Sequence, residues 1–255
     1  MKIEREQIIQ TLTKGLENDP AVFALWLEGA DSNEVLDEYS DIDIVADVKD
    51  GEEETVLEKV REILKSIGEL DLEFLNPQPH PKLRYKVFHL KDTSEFLLID
   101  VCIQSHSRDF EFTEGNKYES PKILFDKNGV IKFSKTDEVK LKKEICESLV
   151  NLENTFFQRS KIKKYILRKK YLEAFAYYNK NVLEPLVELL RICHTPIIRE
   201  YHLVHISDHL PKDKVAQVEE LYRITSLDDI AQNVKLAENM FAEAMKEAKE
   251  KYCNS

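Results

Sequence analysis

An apolar run of the roughly 18 residues that a membrane span requires is missing from this chain. An apolar core near the N-terminus is missing too: Met1-Lys2-Ile3-Glu4-Arg5 does not read as a secretory signal, so a cytoplasmic protein is expected. Close cysteine pairs are also absent. Cys102, Cys146, Cys193 and Cys253 are scattered, which argues against a disulfide framework or a zinc site and for four reduced thiols. No internal repeat is visible. Nor is there an excess of base: 37 Lys and Arg stand against 48 Asp and Glu, a net charge of −11. Proteins that track long nucleic acid draw most of their affinity from a basic surface, so that class is disfavoured. A small substrate, above all a cationic one, suits this charge better.

What is present is a globular composition, 42% hydrophobic and 33% charged, long enough for one large domain or two ordinary ones. The charge is uneven. Residues 1–134 hold 16 Lys and Arg against 29 Asp and Glu, a net of −13, whereas residues 135–255 hold 21 against 19. The hydrophobic pattern changes at the same place. Ile3, Ile8, Ile9, Leu12 and Leu16 are spaced as a helix that Asn18-Asp19-Pro20 stops. Ala21–Leu27 reads as a buried strand, Gly29-Ala30-Asp31-Ser32 breaks it, and Asp41–Val48 is the next strand. Glu52–Ile67 is an amphipathic helix, followed by strands at Leu70–Leu75, Tyr85–Leu90 and Phe96–Gln104, with Pro77, Pro79 and Pro81 in a loop. Ile123–Phe125 and Val130–Phe133, joined through Asn128-Gly129, predict a hairpin. Beyond it the pattern is helical, over about 137–180, 182–194, 197–209, 212–223 and 226–252. The expectation is an α+β domain over 1–134, with a mixed sheet, and an α-helical bundle over 135–255.

Two acids carry the first chemical signal. In Ser40-Asp41-Ile42-Asp43-Ile44-Val45 polar and apolar residues alternate, so Asp41 and Asp43 stand side by side on one face of a strand. Like charges held that close need a cation between them or a proton on one of them. Hard oxygen donors of this kind suit Mg²⁺, which is usually held by one or two carboxylates and substrate phosphates. A third acid, Asp100, interrupts the apolar strand Phe96–Ile103, where an uncompensated carboxylate is costly. A lysine partner or a turn cap would explain it. Three carboxylates on neighbouring strands would equally hold one or two Mg²⁺ ions, with Asp100 as ligand or as general base.

Gly29-Ala30, then ten residues, then Asp41-Ile42-Asp43-Ile44, with Asp100 on a later strand, resembles the nucleotidyltransferase superfamily of DNA polymerase β. The similarity is strongest to its minimal branch, which includes aminoglycoside and lincosamide nucleotidyltransferases. That resemblance implies a palm-like N-terminal domain followed by a helical bundle. It implies Mg²⁺-dependent transfer of a nucleoside monophosphate, AMP from ATP, to a hydroxyl of a small molecule such as an aminoglycoside, with release of pyrophosphate. Asp41, Asp43 and Asp100 become the metal and catalytic residues. Gly29 and Ala30 become the turn whose amides approach the phosphates, with Ser40 beside it and Ser32 in place of the hydroxyl that Ala30 lacks. Two alternatives stay open: a toxin–antitoxin nucleotidyltransferase that modifies a protein or RNA, and a non-catalytic nucleotide-binding module. Monomer and homodimer stay open as well.

The chain departs from that pattern in one respect. Relatives often place an arginine soon after the glycine, whereas no Lys or Arg occurs here between residues 29 and 48. A basic stretch lies elsewhere: between Glu153 and Glu173 there is no acid, and Lys161, Lys164 and Arg168 share one helical stripe. Lys164 and Arg168 are therefore candidate triphosphate contacts, against the ordinary reading of such a run as a solvated face. His194, His202, His205 and His209 read as surface or capping residues. Asp47 shares the face of Asp43 but lies about 13 Å further along the strand, and reads as solvated. Trp26 reads as a core aromatic.

Overall fold

Ile8, Ile9, Leu12 and Leu16, the helical stripe at the start of the chain, form the buried face of α1 (Arg5–Glu17). The computed structural model describes residues 3–32, 36–76 and 80–253, so the loop expected around Pro77 and Pro79 lies outside them. The chain forms two compact units, Met1–Thr136 and Asp137–Ser255.

In the first unit α1 leads into β1 (Val22–Leu27), a single helical turn α2 (Gly29–Ser32), β2 (Ile42–Val48) and α3 (Glu53–Ile67). Then come β3 (Leu70–Asn76), β4 (Leu83–Leu90), β5 (Ile99–Ser105), β6 (Phe112–Thr113), β7 (Lys122–Asp126) and β8 (Phe133–Ser134). Six strands make one sheet in the order β3-β4-β5-β2-β1-β7. The central pair β2 and β5 is parallel, and the other neighbours are antiparallel. Because side chains alternate, each central strand serves two faces. Ile42, Ile44, Ala46, Ile99, Val101 and Ile103 join Leu12, Leu16, Val60 and Leu64 in the main core. Each of the isoleucine, valine and leucine side chains contributes about 1.5–3 kcal/mol by leaving water. The intervening residues, Asp43, Val45 and Asp47 on β2 and Asp100, Cys102 and Gln104 on β5, face the other way. There Trp26, Val45 and Phe112 form a smaller core.

The expected hairpin at 123–133 does not form. β7 pairs with β1 instead, Leu27 opposite Lys122 and Leu25 opposite Phe125. The Asp126 carboxylate accepts backbone N–H groups of Asn128, Val130 and Ile131 at 3.3, 3.0 and 3.1 Å. The turn thus closes on a side chain, and β8 goes on to pair in parallel with β6.

The second unit consists, among the described residues, of helices: α4 (Glu138–Phe157), α5 (Ser160–Leu167), α6 (Tyr171–Tyr178), a π segment Asn179–Leu183, α7 (Glu184–His194), a 3₁₀ segment Pro196–Tyr201, α8 (Ile206–His209), α9 (Lys212–Tyr222) and α10 (Leu227–Tyr252). Asp137 caps α4, accepting from the N–H groups of Val139 and Lys140. The single helix expected over 137–180 is broken twice. Its second break has Lys169 in the left-handed region at φ 55, with Lys170 N–H donating to the Tyr165 carbonyl at 3.0 Å. That reversal lets Tyr177 stack on Tyr165 at 5.2 Å. The helix expected over 197–209 is interrupted as well. Arg191, fully buried, donates to the carbonyls of His202 and Val204, which draws those groups out of a helical ladder.

The cysteine expectation also needs correction: Cys146 and Cys253 are joined in a disulfide, leaving Cys102 and Cys193 as thiols. The pairing joins residues 107 apart in sequence and follows from α10 running back along α4. Phe241 stacks on Phe156 at 3.9 Å and Lys249 pairs with Glu153 at 3.0 Å on the way.

Candidate active site

Parallel pairing of β2 with β5 sets Asp43 directly beside Asp100. Asp41, one residue before β2, completes the group. All three are half-buried, and each offers an oxygen within 4.8 Å of the others. Burial is the first cause that pushes the Asp43 carboxyl up to about 7, followed by the charges of Asp41, Asp100, Glu28 and Asp31. Asp100 is raised by burial and by Asp41, against a hydrogen bond that lowers it. That bond comes from Tyr85, whose hydroxyl donates to Asp100 Oδ2 at 2.5 Å. Burial first, and Asp100 second, raise the Tyr85 phenol, so it stays a donor across the physiological range. The other oxygen, Asp100 Oδ1, is buried with no hydrogen-bond partner. A bare buried carboxylate oxygen costs on the order of 1–3 kcal/mol unless something meets it. A hard divalent cation fits this donor set: three carboxylates, mutual repulsion and one oxygen to spare.

Gly29 opens the turn above these acids. Its φ of 61 is the left-handed region, and a Cβ there would land on Asp43 Oδ2. Only glycine lets the backbone pass that close. Ala30 is half-buried in the same turn. Ser32 Oγ donates to the Gly29 carbonyl at 2.9 Å, and Ser40 Oγ donates to Asp37 Oδ1 at 2.9 Å, so both hydroxyls close their own loops. Ser40 instead turns its carbonyl to Arg5 Nη1, which donates at 2.8 Å.

Three neighbours of the site escape sequence reasoning. Tyr85 is one and Arg5 another. The third is Glu28, whose N–H donates to the Asp43 carbonyl at 3.0 Å and whose carboxylate accepts the Trp26 indole N–H at 2.8 Å. Burial raises Glu28, with Glu119 adding and Trp26 opposing. Its position between a buried strand and Gly29 was the available signal. Trp26 is a core residue as expected, but one with a polar task.

Asp47 is not solvated. It is 4% exposed, with Oδ2 accepting from Gln104 at 2.8 Å and Oδ1 lying 2.8 Å from His106 Nδ1. Lys164 on α5 and Arg168 at its C-terminus belong to the second unit; both are exposed and lie 5.1 and 5.9 Å from the Tyr165 ring centre. His209 lies 2.8 Å from Arg191 Nη1, and His202 and His205 adopt left-handed backbone conformations.

The family model described as streptomycin adenylyltransferase matches residues 1–254. Among solved structures the chain is similar to an aminoglycoside 6-adenyltransferase from Bacillus subtilis, at 14% identity, covering 97% of this chain and 91% of that one with a TM-score of 0.40. A nucleotidyltransferase-like protein from Exiguobacterium sibiricum is similar at 12% identity, over 97% and 78% of the two chains, with a TM-score of 0.37. A spectinomycin adenyltransferase from Enterococcus faecialis, solved with ATP and spectinomycin, is similar at 12% identity, over 96% and 100%, with a TM-score of 0.34. No curated protein sequence matches.

Proposed function

The chain belongs to the streptomycin adenylyltransferase family and is thus a nucleotidyltransferase, and from that premise we propose that it moves AMP from ATP to a hydroxyl of a cationic, aminoglycoside-like small molecule. The observation that carries this reading is the gathering of Asp41, Asp43 and Asp100, the last two paired across adjacent strands, under the Gly29 turn.

Asp41, Asp43 and Asp100 would hold Mg²⁺, which when bound would offset their repulsion, draw phosphate oxygens and make an acceptor hydroxyl more acidic. The unpartnered Asp100 oxygen and the raised Asp43 carboxyl support that assignment. The chain's own residues do the rest. The Gly29–Ser32 turn, with Ala30, lends backbone amides to the triphosphate. Tyr85 fixes the Asp100 carboxylate in one rotation. The acceptor oxygen bonds to the α-phosphorus, the bond to the bridging oxygen breaks, and pyrophosphate leaves with that electron pair. Asp100, whose Oδ1 has no hydrogen-bond partner, takes the hydroxyl proton. An acidic first unit favours an acceptor bearing several amines. Among the described residues no helix is long and apolar enough to cross a membrane. The need for ATP is the one ground on which we assign the enzyme to the cytoplasm, since the Cys146–Cys253 disulfide removes the argument from reduced thiols. In this reading the first unit is the catalytic domain, the second is a helical bundle, and Lys164 and Arg168 contact the nucleotide.

The test is pyrophosphate release with ATP, Mg²⁺ and a panel of aminoglycosides and lincosamides, followed by mass spectrometry of the acceptor. An adduct of one AMP, lost in Asp43→Asn, is the expected result. No Mg²⁺-dependent pyrophosphate with any acceptor or NTP would overturn the reading, and an adduct on protein or RNA would replace the acceptor class. Lys164→Ala with Arg168→Ala should weaken ATP binding; unchanged affinity removes those two residues from the site.

A further inference from the structure

The stretch from 29 to 48 carries the phosphate turn and two metal-binding acids without one base. In the fold a base reaches it from behind. Arg5, the first residue of α1, donates through Nη1 to the Ser40 carbonyl at 2.8 Å and through Nη2 to Asp31 Oδ2. One guanidinium therefore joins the turn that follows Gly29 to the residue immediately before Asp41. The pair is set into the protein: the side chains of Arg5 and Asp31 are 20% and 3% exposed. It is also held at a cost, because Arg5 Nε–H is buried without an acceptor. Asp31 is one of the charges that bear on Asp43, so its partner matters to the acids as well as to the turn.

We infer that Arg5 is a positioning residue of the nucleotide site, fixing the Gly29–Ser32 turn against the Asp41–Asp43 strand so that the turn's amides and the acids meet the same triphosphate. It does from outside the stretch what a base within it would do by contact. This rests on the nucleotidyl-transfer reading and adds a residue to it. A planar fork can bridge a carboxylate and a carbonyl at once, whereas an ammonium on a flexible stem holds one or the other.

The experiment is MgATP titration of the full chain without acceptor, read by calorimetry, for wild type, Arg5→Gln, Arg5→Lys and the double variant Arg5→Gln with Asp31→Asn. Trp26 fluorescence melts show which variants are folded, and Arg5→Lys carries the test if Arg5→Gln is not. The expected result is about tenfold weaker MgATP binding in all three variants, with KM for streptomycin unchanged. Wild-type affinity in the double variant would show that Arg5 only neutralises Asp31, and wild-type affinity in Arg5→Lys that only charge matters; either overturns the inference. An equal rise in KM for streptomycin would mark a general structural role and overturns it too. Failure of the wild type itself to bind MgATP would instead overturn the reading of ATP as the nucleotide donor, and the Arg5 inference with it.

Discussion

Replacing Asp43 by Asn should abolish transfer and, in metal-free protein, make the fold more stable. In the folded chain the Asp43 carboxyl sits at about 7 instead of 3.8, chiefly through burial and then through its acidic neighbours. The folded state therefore holds a proton that the unfolded chain gives up first, so stability falls as pH rises from about 4 to about 7 and stays low above that. The full displacement corresponds to about 4 kcal/mol at about 1.36 kcal/mol per pH unit. Asp43 is only half-buried, and solvent screening brings this to about 2 kcal/mol. Urea unfolding in EDTA, followed by the fluorescence of Trp26, reports on the first unit, because Trp26 is the only tryptophan of the chain. At pH 8 Asp43→Asn should unfold about 1 M later in urea, for a slope of about 2 kcal/mol/M. Near pH 4 the two proteins should converge, since Asp43 is then neutral in both. Carboxylates with the opposite displacement, such as Glu73, are common to both proteins and cancel. Mg²⁺ should raise the wild type and leave the variant unmoved. A variant that is no more stable than wild type at pH 8, or a gap that does not close towards pH 4, would refute the reasoning.

Gly29→Ala should cost about 1–2 kcal/mol for the left-handed backbone and, by pushing Asp43 aside, lower kcat/KM about 100-fold; a loss below tenfold would show that the close approach is not needed. Tyr85→Phe should weaken Mn²⁺ binding about 10- to 100-fold in a paramagnetic titration, because the partner that orients a metal-binding carboxylate is gone; unchanged binding would remove Tyr85 from the site. Asp137→Ala should lower the stability of the second unit by about 1 kcal/mol in circular-dichroism melts, through loss of the α4 cap, and leave pyrophosphate release by the folded enzyme intact.

The centre of the sheet could be read from residue order alone. β2 alternates from Asp41 to Ile44, and β5 is apolar from Ile99 to Ile103 except at Asp100, so both strands and their shared acids were visible before any partner was known. What lay between strands was not. Tyr85 pairs in register with Cys102, one diagonal step from Asp100, and no local pattern in Leu83–Leu90 announces that neighbour. Arg5 lies at the start of α1, far from the turn it serves. Asp47 was misjudged because strand rise measured its distance from Asp43 but not what covers it. Gln104 and His106 supply its donors from β5 and the residue that follows it. The Asn128-Gly129 signal was sound as a turn and wrong as a hairpin, since Asp126 took up the amides that a facing strand would have used. In the second unit, breaks at Lys169 and His202 contain neither glycine nor proline, so the helical period ran through them unmarked.

The pairing of β2 with β5 has a consequence for biosynthesis. When a growing chain has emerged as far as Val48 it already displays Asp41 and Asp43, but Asp100 is still to be made. An ion can be held by all three only after β5 has settled beside β2 in the right register, because a slip of one residue would turn Asp100 into the apolar core and an isoleucine or valine towards the ion. A cation that needs all three carboxylates would therefore find its site only in chains whose central strands are complete and in register.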